Sequence, residues 1–166
     1  MPRKKQQRKH SKTPSQHNET DDPWVSKPQT IRRFLETRPS YEELSKEVAY
    51  ILSKRIAEAG IDVAAVSSRA KALESFLDKI ERKTYADPFD EVTDLAGVRV
   101  VCLYVDDISK IEEIIRNDFD VLERVDKLSD KQPDQFGYGA IHFVVRLGTV
   151  YSGARYDDLK GLPCEI

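Results

Sequence analysis

The residues best suited to chemistry fall in three stretches of the chain. In the first, Lys71, Ser75, Lys79 and Arg82 recur at steps of four, four and three, with Arg69 just ahead of them. That spacing puts the row on one face of a helix. A basic row beginning at a strand-to-helix junction would bind phosphates through charge-assisted hydrogen bonds. Glu74, Asp78 and Glu81 are interleaved with it, so the same row would also serve as an ordinary solvated helix face. In the second stretch, Asp94 stands just before an apolar run, and Glu165 lies in the last apparent strand. Two carboxylates at neighbouring strand ends would suit Mg²⁺, which takes a few carboxylates plus water and substrate phosphate oxygens. As plain structure, Asp94 would be a turn or cap residue and Glu165 a rim charge. The third stretch is QFGYGAIHFVV. On a strand, Tyr138, Ala140, His142 and Val144 share one face, and Gly137 and Gly139 leave space beside the ring. The result is a flat slot fit for a nucleobase, with an imidazole to reach a phosphate or hydroxyl. A half-buried Tyr and His in a sheet is the structural alternative.

These residues need a scaffold, and the hydrophobic pattern supplies one. Ile31 to Leu35 predicts a short helix that stops before Pro39. Ser40 and Glu43 form a capping box for a second helix, whose Tyr41, Leu44, Val48, Ile51, Leu52 and Ile56 recur at helical spacing until Gly60. IDVAAVSSR then reads as a strand, and Ala72 to Lys83 as a helix with an apolar stripe of Leu73, Phe76, Leu77 and Ile80. Ala96 to Tyr104 is nearly continuous and apolar, predicting a central strand covered on both faces. A helix capped by Asp106 or Asp107 follows, with Ile108, Ile111, Ile114 and Ile115 as its buried stripe. Phe119 to Val125 and Tyr138 to Leu147 predict strands, separated by a polar loop over Lys127 to Gln135. GLPCEI begins a last strand. Helices and strands alternate without repeats, so the expected class is α+β, with a mixed β-sheet flanked by helices.

Length and charge set the outer limits. The 166 residues suffice for one domain. The longest apolar run, Val100 to Val105, is far short of the roughly 20 residues of a bilayer span. No apolar stretch follows the basic N-terminus, so no signal peptide is read. Two cysteines and three scattered histidines offer neither a disulfide framework nor zinc spacing, and a reducing cytoplasm is expected. The net charge of −2 hides a split: residues 1–27 hold seven Lys/Arg against three Asp/Glu, leaving −6 for the rest. The expected organisation is a disordered basic tail over 1–27 and a folded body over 28–166. Residues 1–22 would form a loose electrostatic arm for RNA, DNA or another polyanion, or a solvated terminus with no partner.

Taken in order, Ser68-Arg69-Ala70-Lys71, Glu74 to Lys83, Thr93-Asp94-Leu95-Ala96-Gly97-Val98-Arg99, Gly137-Tyr138-Gly139-Ala140-Ile141-His142 and Cys164-Glu165-Ile166 resemble the RelA/SpoT-type synthetase domain, as found in small alarmone synthetases and their toxic relatives. The resemblance covers about Tyr41 to Ile166. It implies a nucleotidyltransferase-like mixed sheet that moves the β,γ-pyrophosphate of ATP, with Mg²⁺, onto a ribose 3′-hydroxyl, usually that of GDP or GTP. By matched position, Arg69, Lys71, Ser75, Lys79 and Arg82 would hold ATP phosphates, and Asp94 and Glu165 would bind magnesium. Glu165 would also help activate the acceptor hydroxyl. Tyr138 would stack the acceptor base, and His142 would contact acceptor phosphates or ribose.

Two departures shape the expectation. Gly139 follows Tyr138 where family members commonly carry a basic or polar residue. This brings in a second acceptor, the 3′ end of tRNA, used by toxic members; residues 1–22 would suit that polyanion, and a toxin would imply an antitoxin. The family also usually continues beyond CEI, so the domain is expected to be incomplete at Ile166. A non-catalytic nucleotide- or RNA-binding fragment is the remaining alternative. Homo-oligomerisation is left open by the sequence.

Overall fold

The computed structural model describes residues 23–127 and 139–166. The expected basic arm over 1–22, most of the polar loop, and Gly137 and Tyr138 lie outside the described residues. Residues 23–27, assigned by composition to the tail, are ordered: Pro23–Ser26 forms one helical turn, α1. Trp24 does not bury itself there. It stays 60% exposed and lines a shallow surface groove with Pro28, Ile31 and Leu35.

The two expected N-terminal helices are one. α2 runs over Pro28–Glu58 with Pro39 inside it, so Ser40 and Glu43 are interior residues and form no capping box. Proline removes one backbone donor and presses on the carbonyl four residues back. Here that local penalty is overridden, because Ile31, Phe34, Tyr41, Leu44, Val48, Ile51, Leu52 and Ile56 form a single buried stripe on both sides of Pro39. The carbonyl that Pro39 leaves without its helical donor is that of Leu35, on the exposed side of the helix. Gly60, at φ +67°, ends the helix.

After α2 come β1 (Val63–Ala70), α3 (Leu73–Arg82), a single turn α4 (Pro88–Glu91), β2 (Ala96–Cys102), α5 (Asp107–Asp118), β3 (Phe119–Asp126), β4 (Ile141–Leu147) and β5 (Cys164–Glu165). The strands form one mixed sheet in the order β1-β2-β5-β4-β3. β5 is the hinge of this arrangement. It pairs parallel with β2 (Ala96 opposite Cys164, Gly97 opposite Glu165) and antiparallel with β4 (Val144 opposite Glu165, Val145 opposite Cys164).

α2 covers β1, β2 and β5, while α5 packs on β3 and α2, so both long helices lie over one side of the sheet. Ala96, Val98, Phe143, Val145, Leu147 and Cys164 point into that core. The expectation that β2 is covered on both faces is therefore corrected. Arg99 is exposed and Val101 is 42% exposed, since the opposite face carries no helix among the described residues.

α3 is fixed separately. Phe76 stacks on Phe34 of α2 at 4.9 Å between ring centroids and touches Phe89 of α4 at 5.2 Å. Arg33 of α2 bonds the Asp87 carboxylate at 2.7 Å and lies 4.3 Å over the Phe89 ring. With its aromatic side held, α3 turns its basic side outward.

Candidate phosphate cleft and adjoining carboxylate

Lys71 follows β1 directly, and its backbone N–H donates to the Leu95 carbonyl at 2.9 Å, extending the β1–β2 pairing by one more bond. That bond carries Lys71 to Asp94. The Lys71 ammonium donates to Asp94 Oδ2 at 2.7 Å, and the Lys79 ammonium, two turns into α3, donates to Asp94 Oδ1 at 2.9 Å. These side chains are largely enclosed, with 12%, 32% and 15% exposure for Lys71, Lys79 and Asp94. Burial acts to raise the Asp94 pKa, but the hydrogen bonds and charges of the two lysines outweigh it and hold the carboxyl below its ordinary value.

Around this bridge lies a cleft of about 400 Å³, lined by Lys71, Ser75, Asp78, Lys79, Arg82, Lys83 and Asp94. The structure thus brings together four of the five residues expected at phosphates, along with Asp94. It adds two that the sequence reading left out, Asp78 and Lys83. Lys83 stands four residues after Lys79, so helical spacing signals it; Asp78 by its spacing signals only a neutralising charge. Four bases against two acids give the lining a local excess of positive charge, on a body that is otherwise net acidic. Such a pocket attracts phosphate oxygens.

Arg69 is placed differently. It is opposite Gly97, which is opposite Glu165, which is opposite Val144, so Arg69 shares a cross-sheet row with Glu165 on the open face and does not line the cleft. Gly97 leaves the floor beside Arg69 low: a Cβ there would touch Arg69 Cγ and Nε at 3.6 Å. On the same face, His142 Nδ1 lies 2.7 Å from Glu165 Oε1. An ionised carboxylate only accepts, so Nδ1–H donates and Nε2 is left for another partner. Backbone bonds of 2.9 Å in both directions between Phe143 and Ile166 hold the two strands in this register. Tyr138, the expected base-stacking ring, lies outside the described residues, and β4 begins at Ile141.

The donor set bears on the magnesium expectation. Among the described residues no three His, Cys, Asp or Glu side chains gather into a metal cage. Asp94 and Glu165 instead offer carboxylate oxygens from the lead-in to β2 and from its neighbour β5. Asp94 is bonded to Lys71 and Lys79 and Glu165 to His142, so the two carboxylates expected to share a magnesium are held by separate partners, Asp94 in the cleft and Glu165 beside it on the sheet.

Residues 68–166 match the sequence profile described as "Region found in RelA / SpoT proteins". The chain belongs to this family. Among RelA/SpoT-type relatives, the GTP pyrophosphokinase YjbM of Bacillus subtilis (strain 168) is 35% identical over 85 residues, covering 48% of this chain and 38% of the relative. The match thus spans about two fifths of that protein's length. The fold is also shared with solved structures. The small alarmone synthetase 1 of Bacillus subtilis bound to its product pppGpp superposes with a TM-score of 0.58 at 28% identity, over 84% of this chain and 72% of that one. The same synthetase bound to AMPCPP gives 0.53 at 26%, over 84% and 69%. The expected mixed sheet and the resemblance to the RelA/SpoT family are both borne out. Among the described residues no helix is long and apolar enough to cross a membrane.

Proposed function

We propose that this chain carries the nucleotide-handling part of an ATP-dependent pyrophosphokinase that modifies a ribose 3′-hydroxyl, with GDP or GTP as acceptor. The observation that carries the reading is the Lys71–Asp94–Lys79 bridge inside a basic cleft. Relatives named as GTP pyrophosphokinases, and a related synthetase solved with a guanosine polyphosphate product, support the same reading.

Lys71, Lys79 and Arg82 would draw in and neutralise the triphosphate of ATP, with Ser75 donating to a phosphate oxygen. Asp94 and Glu165 would hold Mg²⁺, which when bound supplies Lewis-acid polarisation of the phosphoryl oxygens. Glu165 would also accept the proton of the attacking 3′-hydroxyl. That oxygen forms a bond to the β-phosphorus as the bond from this phosphorus to the α,β-bridging oxygen breaks, and AMP leaves. His142, bonded to Glu165, would fix the carboxylate and turn Nε2 toward the acceptor, while Tyr138 would stack its base. Little covalent chemistry is asked of the protein, so positioning and charge neutralisation supply the rate.

A second acceptor, the 3′ end of tRNA, is supported by Gly139 after Tyr138 and by the basic residues over 1–22. Incubation with Mg²⁺ and ATP labelled in its β-phosphate, offered GDP, GTP or deacylated tRNA in parallel, separates the readings. Label is expected on GDP or GTP. Label on tRNA alone would replace the acceptor and bring the toxin reading, with its antitoxin, to the front. Label on none of the three would leave the nucleotide-binding fragment.

A further inference from the structure

The cleft holds its own counter-ion. Both oxygens of Asp94 are taken by ammonium groups, one from Lys71 and one from Lys79, and all three side chains are largely shielded from water. An anion entering here meets lysines already partly neutralised. A free divalent cation meets a carboxylate whose two oxygens are occupied, within a lining where bases outnumber acids. Each ligand alone must compete with the internal bridge. Arriving together they exchange partners with it, lysines to phosphate and carboxylate to metal, so every charge keeps a counter-charge throughout.

We propose that Asp94 is a selectivity determinant as well as a metal ligand: bridged to Lys71 and Lys79, it rejects metal-free polyphosphate chains and admits metal-complexed ones. This rests on reading the cleft as a phosphate site. It adds that metal and phosphate bind with strong mutual coupling, which is reciprocal by thermodynamic necessity. It also reverses what simple charge attraction predicts. Complexation with Mg²⁺ lowers the negative charge of a polyphosphate, and for an ordinary basic patch that weakens binding.

The probe is inorganic tripolyphosphate, titrated calorimetrically into the full chain in chelator and then in excess Mg²⁺. The wild type should bind weakly in chelator and at least about tenfold more tightly with magnesium. Asp94→Asn keeps the side-chain shape and removes the charge. It should bind tripolyphosphate in chelator about tenfold more tightly than the wild type, the effect of one removed like charge a few ångströms away in a half-shielded cleft, and should gain little from magnesium. If Asp94→Asn binds metal-free tripolyphosphate no better than the wild type, the idea is wrong. It is equally wrong if magnesium leaves the wild-type affinity unchanged or lowers it, a result that needs no variant and so no assurance that one folds. Transfer from labelled ATP is scored separately. A chain that transfers pyrophosphate without the coupling loses this inference alone, and a chain with the coupling but no transfer loses only the proposed activity.

Discussion

Asp94 shows how one side chain sets the properties of a site. Its pKa is depressed, so its contribution to stability has a definite sign. Such a group stabilises the fold fully above its unfolded pKa, near 4, and loses that contribution as the pH falls through the lower folded value. Between about pH 5 and about pH 3 the urea midpoint of the wild type should fall more steeply than that of Asp94→Asn; parallel curves would mean the lysine bridge is not formed in solution. His142 is the second informative residue. It bonds Glu165 at 2.7 Å, so under the proposed mechanism His142→Ala should lower the rate of pyrophosphate transfer by roughly 10- to 100-fold, the usual effect of losing a group that orients a metal-binding carboxylate. An unchanged turnover would remove His142 from the mechanism. Lys71, Lys79 and Asp94 were each visible in the sequence as charges of the right type. Their mutual bonding was not, because Lys71 and Asp94 are 23 residues apart and meet only through the β1–β2 pairing.

At the scale of elements, α2 is where local rules and the fold disagree. Proline in a helix interior costs up to about 3 kcal/mol, yet Pro39 sits at an exposed position in the middle of a 31-residue helix. Pro39→Ala removes the clash and restores a backbone donor without disturbing the core. It should stabilise the chain by about 1–3 kcal/mol, read as a higher urea midpoint, and a lower midpoint would show that the proline's rigidity matters more than its missing bond. The glycine that ends α2 obeys its local rule. Gly60 has φ +67° and open space around its α-carbon, so Gly60→Ala should cost about 1–2 kcal/mol from backbone strain alone. Most elements were legible for the same reason this turn was: 3.6-residue and two-residue hydrophobic periods reflect burial on one face, and the side chains on that face are local in sequence. The continuation through Pro39 has no local signal, because it depends on Phe34 finding a partner beyond the helix, Phe76 of α3.

For the molecule as a whole, the shortest strand is the one that joins it. β5 contributes two residues, and through them the β1–β2 pair and the β3–β4 pair become one sheet. Cys164 lies at that seam, fully buried, and burial pushes its thiol up to about 12. Alkylation at mildly alkaline pH should therefore leave Cys164 unmodified in the native chain, and in increasing urea its labelling should track the loss of the circular dichroism signal. Labelling well before that transition would show the two halves of the sheet parting on their own. The same seam divides what could be read from the chain from what could not. Sequence alone determined the family, the helix carrying a basic row and the residue types able to handle phosphate and magnesium, because each is written in local order and spacing. The tertiary structure decided that Lys71 and Lys79 close on Asp94, that Arg69 joins the row of Glu165 instead of the cleft, and that no helix among the described residues covers one face of the sheet. Those outcomes depend on strand order and register, which bring together residues far apart in the chain, and no local pattern encodes which strands become neighbours.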